Sequence, residues 1–169
     1  MSAVQTRRAL LGAAAALAVV GPAYAQDGRS DGEILEELMA LEARLTSAYE
    51  AALRRDAIDT DLGRLLLEQE REHMRGLEQA LRAVGGRAPR AAVPPPELGS
   101  ALRSPAAFAR FALDLEAEAV GAYTSASAEI ARPGLRRPLG SIMACESAHE
   151  VALRAAAGLP LLAGGPRPE

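Results

Sequence analysis

Two histidines occur in these 169 residues, and each has a glutamate three positions before it: Glu70-x-x-His73 and Glu146-x-x-His149. With 16 glutamates in 169 residues, one falls at a given position about one time in ten, so the double occurrence is rarely accidental. Both pairs lie among apolar residues at helical spacing, Leu66 and Leu77 around the first, Ile142, Met143 and Leu153 around the second. On a helix, an i, i+3 step turns two side chains by about 60°, so both reach one point beside the axis. A lone carboxylate among leucines is costly and is normally protonated or excluded. Several carboxylates and imidazoles converging there need a cation between them. The chain must therefore build helices that turn these residues toward a common interior.

The composition agrees with helices. Ala, Leu, Glu and Arg dominate, aromatics are 3%, and all 19 basic residues are arginine. That balance favours helix over a β-sandwich or barrel. The length predicts one domain with a proper core, and the 49% hydrophobic and 24% charged fractions are those of a folded protein. A single cysteine, Cys145, excludes an intramolecular disulfide framework and a cysteine-based zinc site. A net charge of -3 gives no electrostatic reason to expect nucleic acid.

Residues 1–25 read as an address. Thr6-Arg7-Arg8-Ala9-Leu10-Leu11 sets paired arginines before an apolar run that ends near Val20, followed by Ala23-Tyr24-Ala25. A basic start, about a dozen apolar residues and a small-x-small end make a secretory signal. The run is short for a membrane span, which needs roughly 20 apolar residues. The paired arginines resemble the twin-arginine export signal. Cleavage is expected after Ala25, and recognition by the twin-arginine export machinery would place the mature protein in the periplasm or outside the cell.

Four helices are expected beyond the signal, in a domain spanning 26–158. Ser30 and Glu33 have capping-box spacing, and Ile34, Leu38, Leu41, Leu45, Ala48 and Ala52 form a bundle stripe over about 31–55. A second helix is expected at about 61–84, ended by Gly85-Gly86. From Gly85 to Arg103 the chain carries Pro89 and Pro94-Pro95-Pro96 and reads as structureless. Nineteen residues reach roughly 60 Å extended, enough to cross a bundle whose 24-residue helices are roughly 36 Å long. Ser104-Pro105 opens a third helix to about 131, with Phe108, Phe111, Leu115, Ala119 and Ala122 inward. Arg132-Pro133-Gly134 breaks it, and a fourth runs from about 135 or 138 to 157. Residues 159–169 read as a flexible tail. The fold class is thus all-α: a four-helix bundle of two antiparallel hairpins joined by a long Pro-rich crossover.

The first and third helices also carry acids on their apolar sides. Glu42 lies between Leu38 and Leu45, and Glu116 one turn from Ala112, Ala119 and Val120. Glu118 is a nearby competitor for the inward place. The halves match: Tyr49 follows Glu42 by seven residues, as Tyr123 follows Glu116. The chain reads as one hairpin used twice, bringing six side chains together at mid-height. Tyr49 and Tyr123 read first as core tyrosines and second as hydrogen-bond partners of the acids or sources of electrons. Cys145 reads as a small packed residue. Glu68, Glu72 and Glu150 read as solvated or as outer partners of the ligands.

This pattern, Glu42, Glu70-x-x-His73, Glu116 and Glu146-x-x-His149, resembles the ferritin-like superfamily of dinuclear metal carboxylate bundles across nearly the whole mature chain. The segments Glu116-Ala-Glu-Ala-Val-Gly-Ala-Tyr123 and Glu146-Ser-Ala-His-Glu150 look most like exported bacterial ferritin-like proteins of the desiccation-related group. The resemblance implies two iron ions, or manganese, with Glu70 and Glu146 bridging. It implies terminal ligation by Glu42, Glu116, His73 and His149. Dioxygen or peroxide would be the partner, in ferrous oxidation, peroxide removal or another oxidative reaction. The compact chain lacks a rubredoxin-type cysteine motif, which argues against rubrerythrin-like electron supply. A second reading is a non-catalytic structural or stress-protective bundle whose metal site is vestigial or structural. A homodimer remains open.

Overall fold

The computed structural model describes residues 29–88 and 94–162. The expected signal peptide at 1–25, its cleavage point, and the parts of the crossover and tail at 89–93 and 163–169 lie outside the described residues. Among the described residues there are five helices and no strand: α1 (Asp31–Arg54), α2 (Thr60–Ala83), α3 (Leu98–Ala101), α4 (Pro105–Glu129) and α5 (Pro133–Ala156). None is long and apolar enough to cross a membrane.

Local chemistry sets the ends. Ser30 and Glu33 make a full capping box at α1, Asp59 caps α2, and Ser104 caps α4 ahead of Pro105. Three helices end in one hydrogen-bond pattern. At α2, Gly86 N–H bonds to Leu81 C=O and Gly85 N–H to Arg82 C=O. At α5, Leu159 N–H bonds to Arg154 C=O and Gly158 N–H to Ala155 C=O. Gly85 and Gly158 have φ of 81° and 64°, the left-handed turn this motif needs. Asp56 fills that place after α1 at φ 51°.

The hairpins α1–α2 and α4–α5 pack most extensively, α1 also packs along α4, and α2 meets α5 more sparsely than α1 meets α4. The Asp31 carboxylate accepts from the backbone N–H groups of Ala131 and Arg132, and Arg132 donates to Ala83 C=O. So the starts of α1 and α5 and the end of α2 share one end of the bundle. Ala57, Pro105 and Ala156 line a common cavity at the other. The stretch from 84 to 104 therefore carries the chain from one end to the other, the expected crossover.

Three expectations need correction. The crossover is not wholly structureless: Leu98–Ala101 forms one turn that packs on α4 and buries Leu98 and Ala101. Proline-fixed backbone leads into it, and Leu98 N–H bonds back to Pro95 C=O. The fourth bundle helix starts at Pro133 and keeps Pro138 inside. A proline suits the first helical position, and Pro138 forfeits one hydrogen bond in the second turn. Phe111 and Ala122 are half-buried, whereas Phe108, Leu115 and Ala119 are fully inward.

Candidate metal centre

The six residues expected at the centre come from four helices: Glu42 from α1, Glu70 and His73 from α2, Glu116 from α4, Glu146 and His149 from α5. The leucine and alanine stripes that bury each helix also bury these side chains. All four carboxylates are 0% exposed, His149 is 2% and His73 8%. Glu118, the competitor of Glu116, points outward and pairs with Arg44 at 2.8 Å.

Each imidazole turns Nδ1 toward the acids. His73 Nδ1 lies 2.8 Å from Glu146 Oε1, 3.5 Å from Glu42 Oε2 and 3.7 Å from Glu70 Oε2. His149 Nδ1 lies 3.0 Å from Glu146 Oε2, 3.1 Å from Glu70 Oε1 and 3.5 Å from Glu116 Oε1. The rings stack 5.9 Å apart at 24°. These approaches are close, yet both Nδ1 atoms, both oxygens of Glu70 and Glu146, and Oε2 of Glu42 and Glu116 lack hydrogen-bond geometry to any partner. Buried polar atoms are seldom left so, and eight in one place ask for a shared partner. Carboxylates at this range repel unless a proton or cation stands between them.

Two overlapping sets could each hold an ion, with ligand atoms within 4.8 Å of one another: Glu42, Glu70, His73, Glu146, and Glu70, Glu116, Glu146, His149. Glu70 and Glu146 belong to both. Glu42 and Glu116 belong to one each, and their second oxygens are already taken. Tyr123 Oη donates to Glu42 Oε1, and Tyr49 Oη donates to Glu116 Oε1. Both tyrosines are thus buried core residues and donors to the acids, joining the two sequence readings. Both bonds cross between hairpins.

Without a metal, the acids differ in protonation. Burial pushes the Glu42 carboxyl well up, and burial with neighbouring Glu146 raises Glu116 to about 8 against the contact with His149. Burial also acts to raise Glu146, but the contacts with His149 and His73 outweigh it and hold the carboxyl down at about 2. Glu70 is lowered likewise, with His149 and His73 overcoming burial. Burial opposes charge on His149, yet Glu116, Glu146 and Glu70 raise it to about 12, and His73 rises for the same reason beside Glu146. Burial and the adjacent acids keep both tyrosines protonated. Glu42 and Glu116 are thus pushed toward the neutral acid, while the imidazoles between them hold Glu70 and Glu146 as carboxylates.

One residue escaped the sequence reading. Gln69 Oε1 lies 3.0 Å from His149 Nε2. An acceptor there keeps the proton on Nε2 and leaves Nδ1 free to face a cation. The signal was positional: Gln69 precedes Glu70 as Cys145 precedes Glu146. Cys145 is half-buried, with Sγ 3.4 Å from His149 Nε2. Glu68 and Glu72 are exposed as expected, and Glu150 is half-buried.

A family model for the ferritin-like domain matches residues 30–159, nearly all of the described chain. The chain belongs to the ferritin-like family. No curated protein matches it.

Proposed function

We propose that the buried cluster is a dinuclear metal centre, with iron as its leading ion and manganese the alternative. The observation that carries this reading is the sharing of Glu70 and Glu146 between two four-residue sets. Both oxygens of each shared acid lack hydrogen-bond partners, as bridging ligands require. Glu42 and Glu116 offer one oxygen each, as terminal ligands would, and His73 and His149 complete the two sets. Mixed carboxylate and imidazole donors suit iron and manganese and do not exclude zinc.

Bound there, a redox-active pair of ions would supply electrons to dioxygen or peroxide. The protein's own part is electrostatic and steric. Four carboxylates supply the negative charge for the two cations. Tyr49 and Tyr123 hold the terminal acids in place, and Gln69 orients His149. The apolar stripes keep bulk water away.

The chain is further proposed to be exported, on the strength of Arg7-Arg8 and the apolar run that follows. N-terminal sequencing of protein made in its own cells should then begin at Gln26.

Elemental analysis after reconstitution, together with an oxygen electrode, tests the central reading. Two metals per chain and rapid oxygen consumption on ferrous addition are expected. Metal without consumption would favour the non-catalytic bundle. No metal would end the proposal.

A further inference from the structure

We propose that the groove between α2 and α5 is a binding pocket for a small neutral organic molecule, mainly apolar with one oxygen-bearing end. It encloses about 390 Å³, within the range of small-molecule sites. Its walls are the apolar side chains of Leu77, Leu135, Pro138 and Ile142. Buried His73 and half-buried Gln69 and Cys145 line it on the side toward the centre, and exposed Glu72 and Ser141 complete its polar lining. The occupant's oxygen would face these groups and its body the apolar wall. The pocket stands on its own lining, and its relevance to chemistry rests on the metal reading.

Charge selects among occupants. Glu72 is the one carboxylate of the lining; it sits on the exposed rim and pairs with Arg75. No arginine lines the cavity, and a metal-ligating His73 is neutral, so in the metal-loaded protein an anion would meet no counter-charge. The cavity between α1 and α4 is the contrast. Arg29, Arg44, Glu37, Glu118 and Glu129 surround it, and none of the six buried centre residues lines it.

Two backbone-disfavouring residues also border this groove. Gly76 lies within α2 on the cavity wall, and a Cβ there would meet nothing within 4 Å. A mid-helix glycine weakens the helix relative to alanine, and nothing crowded requires it here. Ala80, one turn on, is small as well. Opposite, Pro138 removes one helical hydrogen bond on the facing wall. Both helices thus carry a locally unfavourable residue where they border the groove.

Cys145 is the only cysteine of the chain, which makes it a reporter. The full chain, reconstituted with iron, is alkylated with N-ethylmaleimide while 2-phenyl-2-propanol is titrated in. At ten times its dissociation constant the alcohol should slow alkylation by about tenfold. Benzoate, an anion of similar size, should leave the rate unchanged. Gly76→Leu and Ala80→Met should each abolish protection, with circular dichroism showing which variant retains the fold. An unreactive Cys145, no protection, equal protection by benzoate, or protection surviving in a folded filled variant would overturn the proposal. Metal content of the same samples separates the two readings. Protection without bound metal leaves the pocket and removes the centre, and metal without protection does the reverse.

Discussion

The two hairpins meet along two seams of different construction. At α1/α4, Tyr49 and Tyr123 reach across to Glu116 and Glu42 inside, while Arg44–Glu118 and Arg29–Glu129 pair outside. At α2/α5 the helices touch more sparsely, and a cavity runs in to His73. One seam holds the acids, and the other leaves room beside the histidines. The pseudo-twofold relation also breaks at one position. Gln69 gives His149 an acceptor, whereas its counterpart Cys145 contacts His149 of its own helix, and His73 has no such acceptor among the described residues. A repeated hairpin can therefore build two sites with the same ligands but unequal support.

The largest effect should come from the shared acids. Glu70→Ala or Glu146→Ala removes a member of both sets and should abolish binding of both ions, measured as metal content after gel filtration. Glu42→Ala should remove one ion and spare the other. Equal loss from Glu42→Ala and Glu70→Ala would show that the acids are not divided into shared and terminal kinds.

Protonation sharpens the same division. Glu146, held at about 2, is ionised in the fold while the unfolded chain still binds its proton, so stability rises with pH from about 2 to 4.5. Glu116, raised to about 8, keeps a proton that the unfolded chain releases above 4.5, so stability falls from there toward 8. His149, raised to about 12 from 6.5, extends the decline. Metal-free protein should thus have its highest Tm near pH 4.5 and lose stability from there upward. Metals displace these protons, so the Tm gain on metal loading should grow with pH from 5 to 8. Differential scanning calorimetry at fixed metal excess reads both, and a metal-free Tm that rises over this window contradicts the assignment.

Gln69→Leu probes the broken symmetry. It should weaken the ion on the His149 side by about 10–100-fold, as loss of a ligand-orienting partner does. Chelator competition should then show one tight and one weak step. Tyr49→Phe and Tyr123→Phe probe the intact symmetry. Each leaves a buried carboxylate oxygen without its donor and should cost metal-free protein about 1–3 kcal/mol in urea unfolding. The two costs should agree, because each phenol serves the equivalent acid.

Much of this arrangement was legible in the residues. Ser30 and Ser104 announce helix starts, the leucine spacing gives each inward face, and the repeated Glu-x-x-His picks out four members of the buried cluster. The tyrosines stayed ambiguous because a seven-residue step says which face they share with an acid on their own helix. It does not say that they bond to the acid of the other hairpin. Gln69 was missed because an amide on a mixed face has no periodic signature, and its role depends on how far apart α2 and α5 stand. Leu98–Ala101 was missed because a single turn is too short to show a period. Pro138 also suits a helix start, because a proline near a helix N-terminus is cheap, but Pro133 takes that place.

Two ions are proposed to lie side by side between Glu70 and Glu146. Anomalous diffraction from crystals of the iron- or manganese-reconstituted protein tests this most directly. Two anomalous peaks roughly 3.5–4 Å apart, each flanked by one histidine and one terminal glutamate, are the expected result. A single peak, or none within the six-residue cluster, would contradict it.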